Sequence, residues 1–440
     1  MPFVYTIAIL FLFALAFPVL ALHKKTRAGW ARRFGLYPRG AFPGKGRPRV
    51  WLHGASAGDL LALSPMIKEL KARFPDCTVV LSTLTNSGFA MGQERIRDAD
   101  AITFVPWDLP GATRRAVAAI DPDLLVLEYA EIWPNLIWAA KRHGARVAVT
   151  NGRFSPRNLR SYRLLFSLIG NPLQVIDLFL MREDDEAERV LRLGAPLDRV
   201  WVTGNTKFDA LVPAKDPLPG DEELRKAFGF PAGAPVFICG STHEGEEGVL
   251  LAVYQRLLAE HPDLRLAIAP RYVERAAKVK ALAQEAGLAA RLRTEKPAPA
   301  TPPRVCVLDT IGELSIAYRL ATLVFVGGSF TTRGGQNILE PAAQGKPVLF
   351  GPHMENFHDS VQVLVGRGGI QVNDGDHLYR VAHELLARPE KMKEVGELAR
   401  TAVSNVRGAS ARNVTLMAQL LEPRPSPTSA PSGEGAAKGS

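Results

Sequence analysis

VWLHGASAGDLLALSPMIKELKAR, Val50 to Arg73, decides how the rest of this 440-residue chain is read. Val50–Leu52 is a short, uninterrupted apolar run, as expected of a parallel strand covered on both faces. His53–Asp59 is a turn of small residues with two glycines, and Asp59–Arg73 follows with a helical pattern. Strand, tight turn and amphipathic helix form the repeating unit of a doubly wound α/β sheet.

The same rhythm extends in both directions. Further strands are expected at Thr78–Ser82, Ile102–Val105, Leu124–Leu127, Val147–Thr150, Leu178–Met181 and Val200–Thr203, with helical patterns between them such as Trp133–Arg142. Residues 211–221, LVPAKDPLPGD, hold three prolines and a glycine and read as a linker. The alternation then restarts. Strands are expected at Val236–Cys239, Arg265–Ala269, Arg304–Leu308, Leu323–Val326, Pro347–Phe350 and Gly369–Val372. Helices are expected at Glu244–Ala259, Val273–Ala286, Gly312–Ala321, Asn337–Gln344 and Leu378–Ala387. The fold class is therefore α/β with two Rossmann-like domains, residues 50–210 and 222–421. Residues 422–440 are a polar tail with the composition of a disordered segment.

Composition removes several function classes. Three scattered cysteines, Cys77, Cys239 and Cys306, make neither a disulfide framework nor a zinc site. The net charge of +10 suggests nucleic acid until it is mapped. Residues 1–22 carry no charge. Residues 23–49 carry Lys24, Lys25, Arg27, Arg32, Arg33, Arg39, Lys45, Arg47 and Arg49 and no acid. Nine of the ten net charges thus sit in one segment, and a broad nucleic-acid surface is excluded. The apolar run precedes the cations, the reverse of a cleaved signal peptide. It reads as an uncleaved N-terminal membrane-anchor helix with its basic flank on the cytoplasmic side, against anionic headgroups at about 1 kcal/mol per cation. Pro18 kinks or shortens it, so a full span and a dip into one leaflet both stay open.

Ligands of such sheets bind at the carboxyl ends of the strands and in the cleft between two such domains. In the first domain the turn HGASAGD offers Ser56, Gly58 and Asp59. Either Ser56 and Asp59 cap the helix, or Asp59 is a general base. Glu128 and Glu131 end the fourth strand before Trp133-Pro134-Asn135, as helix caps or as active-site acids. Asn151–Arg163 brings arginines, Arg153 and Arg157 among them, suited to an acidic lipid or sugar acceptor. Lys207 follows the last strand. In the second domain STHEGEE (Ser241–Glu247) opens a helix, Arg271 is a candidate phosphate clamp, and Gly327–Pro341, GGSFTTRGGQNILEP, reads as a glycine-rich anion site. Glu340, one turn into the helix after it, is placed to take two ribose hydroxyls. Neither GxGxxG with its acid nor GxxxxGKS is present, so a dinucleotide oxidoreductase and a P-loop NTPase are unsupported.

The strings HGASAGD, EIWPNLI, NGRFSPRNLRSYR, GNTKFD, STHEGEE, IGEL, GGSF and GGQNILEPAAQGKPVLFGPHMENF, in this order, resemble the 3-deoxy-D-manno-octulosonic acid (Kdo) transferase family. The resemblance implies a GT-B architecture and an inverting transfer of Kdo from CMP-Kdo to a lipid A precursor in lipopolysaccharide synthesis, at the cytoplasmic face of the bacterial inner membrane. By position it puts the catalytic base on Asp59, an active-site acid on Glu131 and a donor-facing lysine on Lys207; the family's other acid falls on Tyr129, so either Glu128 substitutes for it or its role is lost. It puts nucleotide contacts on Arg271, Ile311, Gly312, Glu313, Leu314, Ser329, Gly335, Gln336, Asn337 and Glu340. The acceptor side takes Ser56, Gly58, Arg153 and Arg157. No metal and no cofactor are implied beyond the CMP-sugar donor. The family usually has Glu at Asp59, Glu-Thr-Glu where this chain reads Tyr129-Ala130-Glu131, and His at Gln336. Two other readings stay open: a diverged GT-B transferase with another nucleotide sugar or acceptor, and a non-catalytic membrane scaffold of the same fold.

Overall fold

The computed structural model describes residues 2–22, 29–42, 44, 46–129, 131–154, 159–211, 220–295 and 302–422. The chain forms two compact units. The first runs to Lys207 and resumes at Gly408; the second is Phe208–Arg407.

The first unit is built on seven strands: β1 (Arg49–His53), β2 (Thr78–Thr83), β3 (Ala101–Phe104), β4 (Leu124–Glu128), β5 (Arg146–Gly152), β6 (Leu178–Met181) and β7 (Val200–Val202). They lie in the order β3-β2-β1-β4-β5-β6-β7, and every pairing is parallel. Every position of β2 and β4 is buried. Period-two alternation divides those side chains between two cores. Trp51, Leu125, Leu127, Val147 and Val149 serve one face; Val50, Leu52, Leu124, Val126 and Ala148 serve the other. The order reverses between β1 and β4, which makes their carboxyl ends the point where such sheets bind ligands.

The second unit repeats the plan with β8 (Val236–Thr242), β9 (Arg265–Pro270), β10 (Ala290–Leu292), β11 (Val305–Val307), β12 (Leu323–Val326), β13 (Val348–Phe350) and β14 (Gly369–Gln371). Their order is β10-β11-β9-β8-β12-β13-β14, all parallel, so the reversal falls between β8 and β12. All the expected strands are present. The edge strand β10 is additional. It has only three residues, with an arginine at its centre, and Arg291 bonds the carbonyls of Leu292 and Arg293 along the edge.

Several boundaries differ from expectation: the helix expected at Gly312–Ala321, for example, is Leu314–Ala317 followed by a 3-10 turn. The helix expected from Asn337 is Leu339–Ala343; Asn337 lies just before it, and its side chain accepts from the Leu339 N–H at 3.0 Å. The final helix, Ala409–Leu421, belongs to the first unit rather than the second. Val414 and Met417 fill the core beside Leu60 and Leu63 of the helix Ala57–Arg73. Most of the expected linker, 212–219, and the tail from 423 lie outside the described residues.

The N-terminal segment is a helix, Pro2–Leu22, with Pro18 inside it. Among the described residues no helix is long and apolar enough to cross a membrane. The helix instead packs on the first unit. Tyr5 donates to Asp108 at 2.7 Å, and the rings of Tyr5 and Phe13 meet Trp138 and Trp107. The basic flank also differs from a row of uncompensated cations. Arg33 is fully buried over the Phe104 and Trp107 rings and donates to the Leu84 carbonyl. Arg47 pairs with Asp121 and Asp123, and Arg49 bonds the Ile120 carbonyl. Lys24, Lys25, Arg27 and Lys45 lie outside the described residues.

Candidate functional site

Two clusters form, one at each reversal of strand order. In the first unit, Ser56 caps the helix Ala57–Arg73 and Asp59 completes a capping box. The Ser56 N–H donates to Asp59 Oδ2 at 2.8 Å, and the Asp59 N–H donates to Ser56 Oγ at 3.4 Å. Capping and function are therefore compatible, since the cap holds one oxygen and fixes the carboxylate at the mouth of β1. A β-carbon on Gly54 would lie 2.9 Å from Asp59 Cβ, so glycine permits this approach. Gly58 is exposed beside it.

Across the reversal, Glu128 ends β4 with its side chain fully buried. Thr150 Oγ1 and Asn151 Nδ2 donate to its two oxygens. Burial pushes this carboxyl up to about 8 against those bonds, and the charge on Asp59 adds to the push. Asn151, in the left-handed region at φ 54°, continues the network. Its Nδ2 also donates to Thr206 Oγ1 at 2.9 Å, and its Oδ1 accepts the Thr206 N–H at 3.2 Å. The next residue is Lys207, half-buried at the start of the helix Lys207–Leu211. Glu128 and Lys207, 79 positions apart in sequence, are thus joined through the ends of β4, β5 and β7.

Glu131 belongs to a neighbouring cluster. It accepts from Trp133 Nε1 at 2.9 Å and lies 3.6 Å from Nε2 of the buried His53. Burial pushes Glu131 up, but His53 and the Trp133 bond outweigh it, and the carboxyl sits below its ordinary value. His53 Nδ1 faces Ser82, which also receives the Trp51 indole N–H. Arg153 is exposed just beyond β5, and Arg157 lies outside the described residues. Thr150, Asn151, Thr206 and His53 were not singled out from sequence. For Thr150 and Asn151 the signal was present in the polar pair closing an otherwise apolar strand, Val147–Asn151.

In the second unit the glycine-rich turn is organised around the protein's own carboxylate. Glu246 is fully buried. It accepts the N–H groups of His243, Gly328, Ser329 and Phe330 at 2.7–2.9 Å. At about 1–3 kcal/mol for each stranded buried donor, these bonds lock the turns after β8 and β12 together. Adjacent Glu247 holds Arg275 at 2.6 Å and is also buried. The Ser329 hydroxyl is internal: it donates to the Val326 carbonyl and accepts the Gly351 N–H at 2.8 Å.

The other donor-side residues surround this lock. Gly335, at φ 79°, donates to the Gly328 carbonyl at 2.9 Å, and a β-carbon on it would strike Met354. Gln336 Nε2 lies 3.4 Å from His243 Nε2. Arg271 is exposed, with its backbone N–H on the Thr242 carbonyl and its guanidinium 5.9 Å from the Tyr272 ring. Burial pushes Glu340 up, against a bond from Ser315. In the separate turn after β11, Ile311 is 88% exposed and Gly312 takes φ 89°. Glu313 there pairs with Arg293 and accepts from Thr310, just before Leu314 opens the helix Leu314–Ala317.

Comparison with known proteins adds the following. A family model described as 3-deoxy-D-manno-octulosonic-acid transferase (kdotransferase) matches residues 28–210. A 3-deoxy-D-manno-octulosonic acid transferase of Bordetella pertussis is 32% identical over 386 residues, covering 84% of this chain and 87% of that protein. The protein of the same name from Haemophilus influenzae is 29% identical over 399 residues, covering 89% and 91%. Among solved structures, a UDP-GlcNAc 2-epimerase from Neisseria meningitidis aligns with a TM-score of 0.56 at 14% identity, over 84% of this chain and all of that one, a likeness of fold alone.

Proposed function

The chain belongs to the 3-deoxy-D-manno-octulosonic acid transferase family, and from that premise we propose how it moves Kdo from CMP-Kdo to a lipid A precursor in lipopolysaccharide biosynthesis. The observation that carries the reading is the pair of unequal carboxyls at the β1/β4 reversal. Glu128 is sealed from water and pushed up to about 8, so near neutral pH it is largely protonated. Asp59 is half-exposed and oriented through one oxygen by its capping box. Two carboxyls with environments this different divide into a spectator that holds a proton and a base that can take one.

In the transfer, an acceptor hydroxyl oxygen attacks C2 of Kdo as the bond from C2 to the phosphate oxygen breaks. The hydroxyl proton passes to Asp59, and CMP leaves. Glu128 acts through Asn151 and Thr206 to fix the loop carrying Lys207, whose cation stabilises the charge that develops. The second unit takes the nucleotide: Arg271 meets the phosphate, the turn at Ile311–Leu314 the base, and Glu340 the ribose. Ser329 contributes by holding the turn.

The membrane reading rests on α-helical surface. Leu10, Phe11, Leu12 and Leu15 of the helix Pro2–Leu22 are 48–71% exposed. On the helix Leu159–Ile169 beside it, Leu164, Leu165 and Leu168 are 42–64% exposed. We infer that this apolar face enters one leaflet rather than crossing the bilayer.

Transfer assays with CMP-Kdo and lipid A precursor test the catalytic assignment. Asp59→Ala should lose roughly 100-fold or more in kcat. Glu128→Gln, an isostere of the protonated acid, should stay within severalfold of wild type at pH 7. Full activity in Asp59→Ala, or no transfer by wild type, would overturn the reading. Nucleotide binding by wild type to UDP and not CMP would favour a diverged transferase with another donor.

A further inference from the structure

A glycine-rich turn ordinarily offers its backbone N–H groups to a bound anion. Here Gly328, Ser329 and Phe330 direct theirs to Glu246. These three N–H groups are therefore not available to an anionic ligand at the β8/β12 reversal, which leaves a larger part to side chains.

His243 is the side chain positioned for this. It stands on the turn after β8 and is only 6% exposed. Its backbone N–H is fixed on Glu246 at 2.9 Å. Its ring is held edge-on against Tyr272 at 5.7 Å, and its Nε2 faces the Gln336 amide at 3.4 Å. A β-carbon on Gly328 would come within 3.2 Å of the ring and 3.3 Å of Gln336, so glycine lets both close over the turn. The imidazole is thus immobilised beside the glycine-rich turn, with charged groups around it. Arg271 and Arg333 face it from the turns after β9 and β12. Glu246 and Glu247 face it from its own side. Glu246 is committed to four N–H groups, and Glu247 is paired with Arg275.

We propose that His243 is a donor-binding residue that takes up a proton as the nucleotide phosphate arrives, so that imidazolium, Arg271 and Arg333 together neutralise it. Burial holds the imidazole below its ordinary value. Glu246 and Glu247 push it up, and Arg333 and Arg271 push it down, in the same direction as burial. The negative charge of the ligand phosphate, single in the donor's diester and double in CMP, offsets the potential of the arginines and reverses that bias. Gln336 suits both states, because its amide can donate to neutral Nε2 or, turned over, accept from protonated Nε2.

This rests on the reading of the second unit as the donor site. Titration calorimetry of CMP into the full chain tests it, at pH 7–8.5 in two buffers of different ionisation enthalpy. In that range the ligand phosphate, with a second pKa of about 6, is already a dianion. Wild type should take up a proton on binding CMP but not on binding cytidine, and CMP affinity should fall as pH rises. His243→Gln should bind CMP roughly 10- to 100-fold more weakly with no proton uptake. His243→Lys should recover affinity, again without uptake. CMP binding by wild type without uptake overturns the proposal, as does unchanged pH dependence in His243→Gln. If transfer proceeds normally in that case, the donor reading stands and only His243 fails. If wild type ignores CMP but binds UDP with uptake lost in His243→Gln, His243 stands and the choice of donor fails. Binding of neither nucleotide overturns both.

Discussion

At some side chains here burial outweighs hydrogen bonding, although at Glu131 the balance is reversed. Glu128 illustrates the former, because burial raises its carboxyl to about 8 despite two donated hydrogen bonds. A carboxyl raised in the folded state favours folding while protonated. That contribution is complete below its ordinary value of 4.5 and is lost as pH rises through about 8. With about 1.4 kcal/mol per pKa unit, wild type should lose on the order of a few kcal/mol relative to Glu128→Gln across that window. Scanning fluorimetry from pH 5 to 8.5 should show the melting temperature of the Gln variant pulling ahead; parallel curves would remove the buried acid from the account. Asp59 was legible in sequence because it sits in one short local turn. The partners of Glu128 were not, since Thr150, Asn151 and Thr206 reach it only once the order of strands is known. Glu246 was hidden for the same reason: nothing local says that the acid of STHEGEE is the anion inside GGSF.

Among the elements, the N-terminal helix departs most from its sequence reading. Twenty apolar residues suggest a span, but Tyr5, Phe13 and their partners seat one side of the helix on the first unit. What periodicity cannot reveal is which side of a uniformly apolar helix finds a protein partner. The outward side gives a direct test. Each large apolar side chain buried in lipid contributes about 1.5–3 kcal/mol. The triple variant Leu10→Glu, Phe11→Glu, Leu15→Glu should therefore bind anionic vesicles at least about 10-fold more weakly than wild type in flotation assays, with transfer to a detergent-dispersed acceptor retained. Equal flotation of the two proteins would exclude this face as the membrane contact. The basic flank must then be recounted, since Arg33 is buried in the first unit and Arg47 and Arg49 bond to Asp121 and the Ile120 carbonyl of that unit.

For the whole molecule, the two-unit plan was readable because parallel strands covered on both faces are continuous apolar runs, and they recur on either side of a proline-rich interruption. Connectivity was less readable. The final helix continues the helical rhythm of the second unit yet closes the core of the first with Val414 and Met417. At 1.5–3 kcal/mol per large apolar side chain, removing it costs the first unit roughly 3–6 kcal/mol before its other contacts are counted. That is a large part of the 5–15 kcal/mol typical of a domain. A chain ending at Arg407 should be insoluble or melt at least about 10 °C lower. An unchanged melting temperature would mean that the helix is a passive cover.

The same return of the chain sets an interval during biosynthesis. At 5–20 residues per second, the 200 residues from Phe208 to Arg407 separate the emergence of Lys207 from that of the final helix by about 10–40 s. Through that time the ribosome displays a sheet with one groove unfilled over Ala57–Arg73, and an apolar amino-terminal helix besides. Both are surfaces that chaperones and targeting factors recognise. The first half to be translated is thus the last to be sealed, and its neighbour folds while it waits.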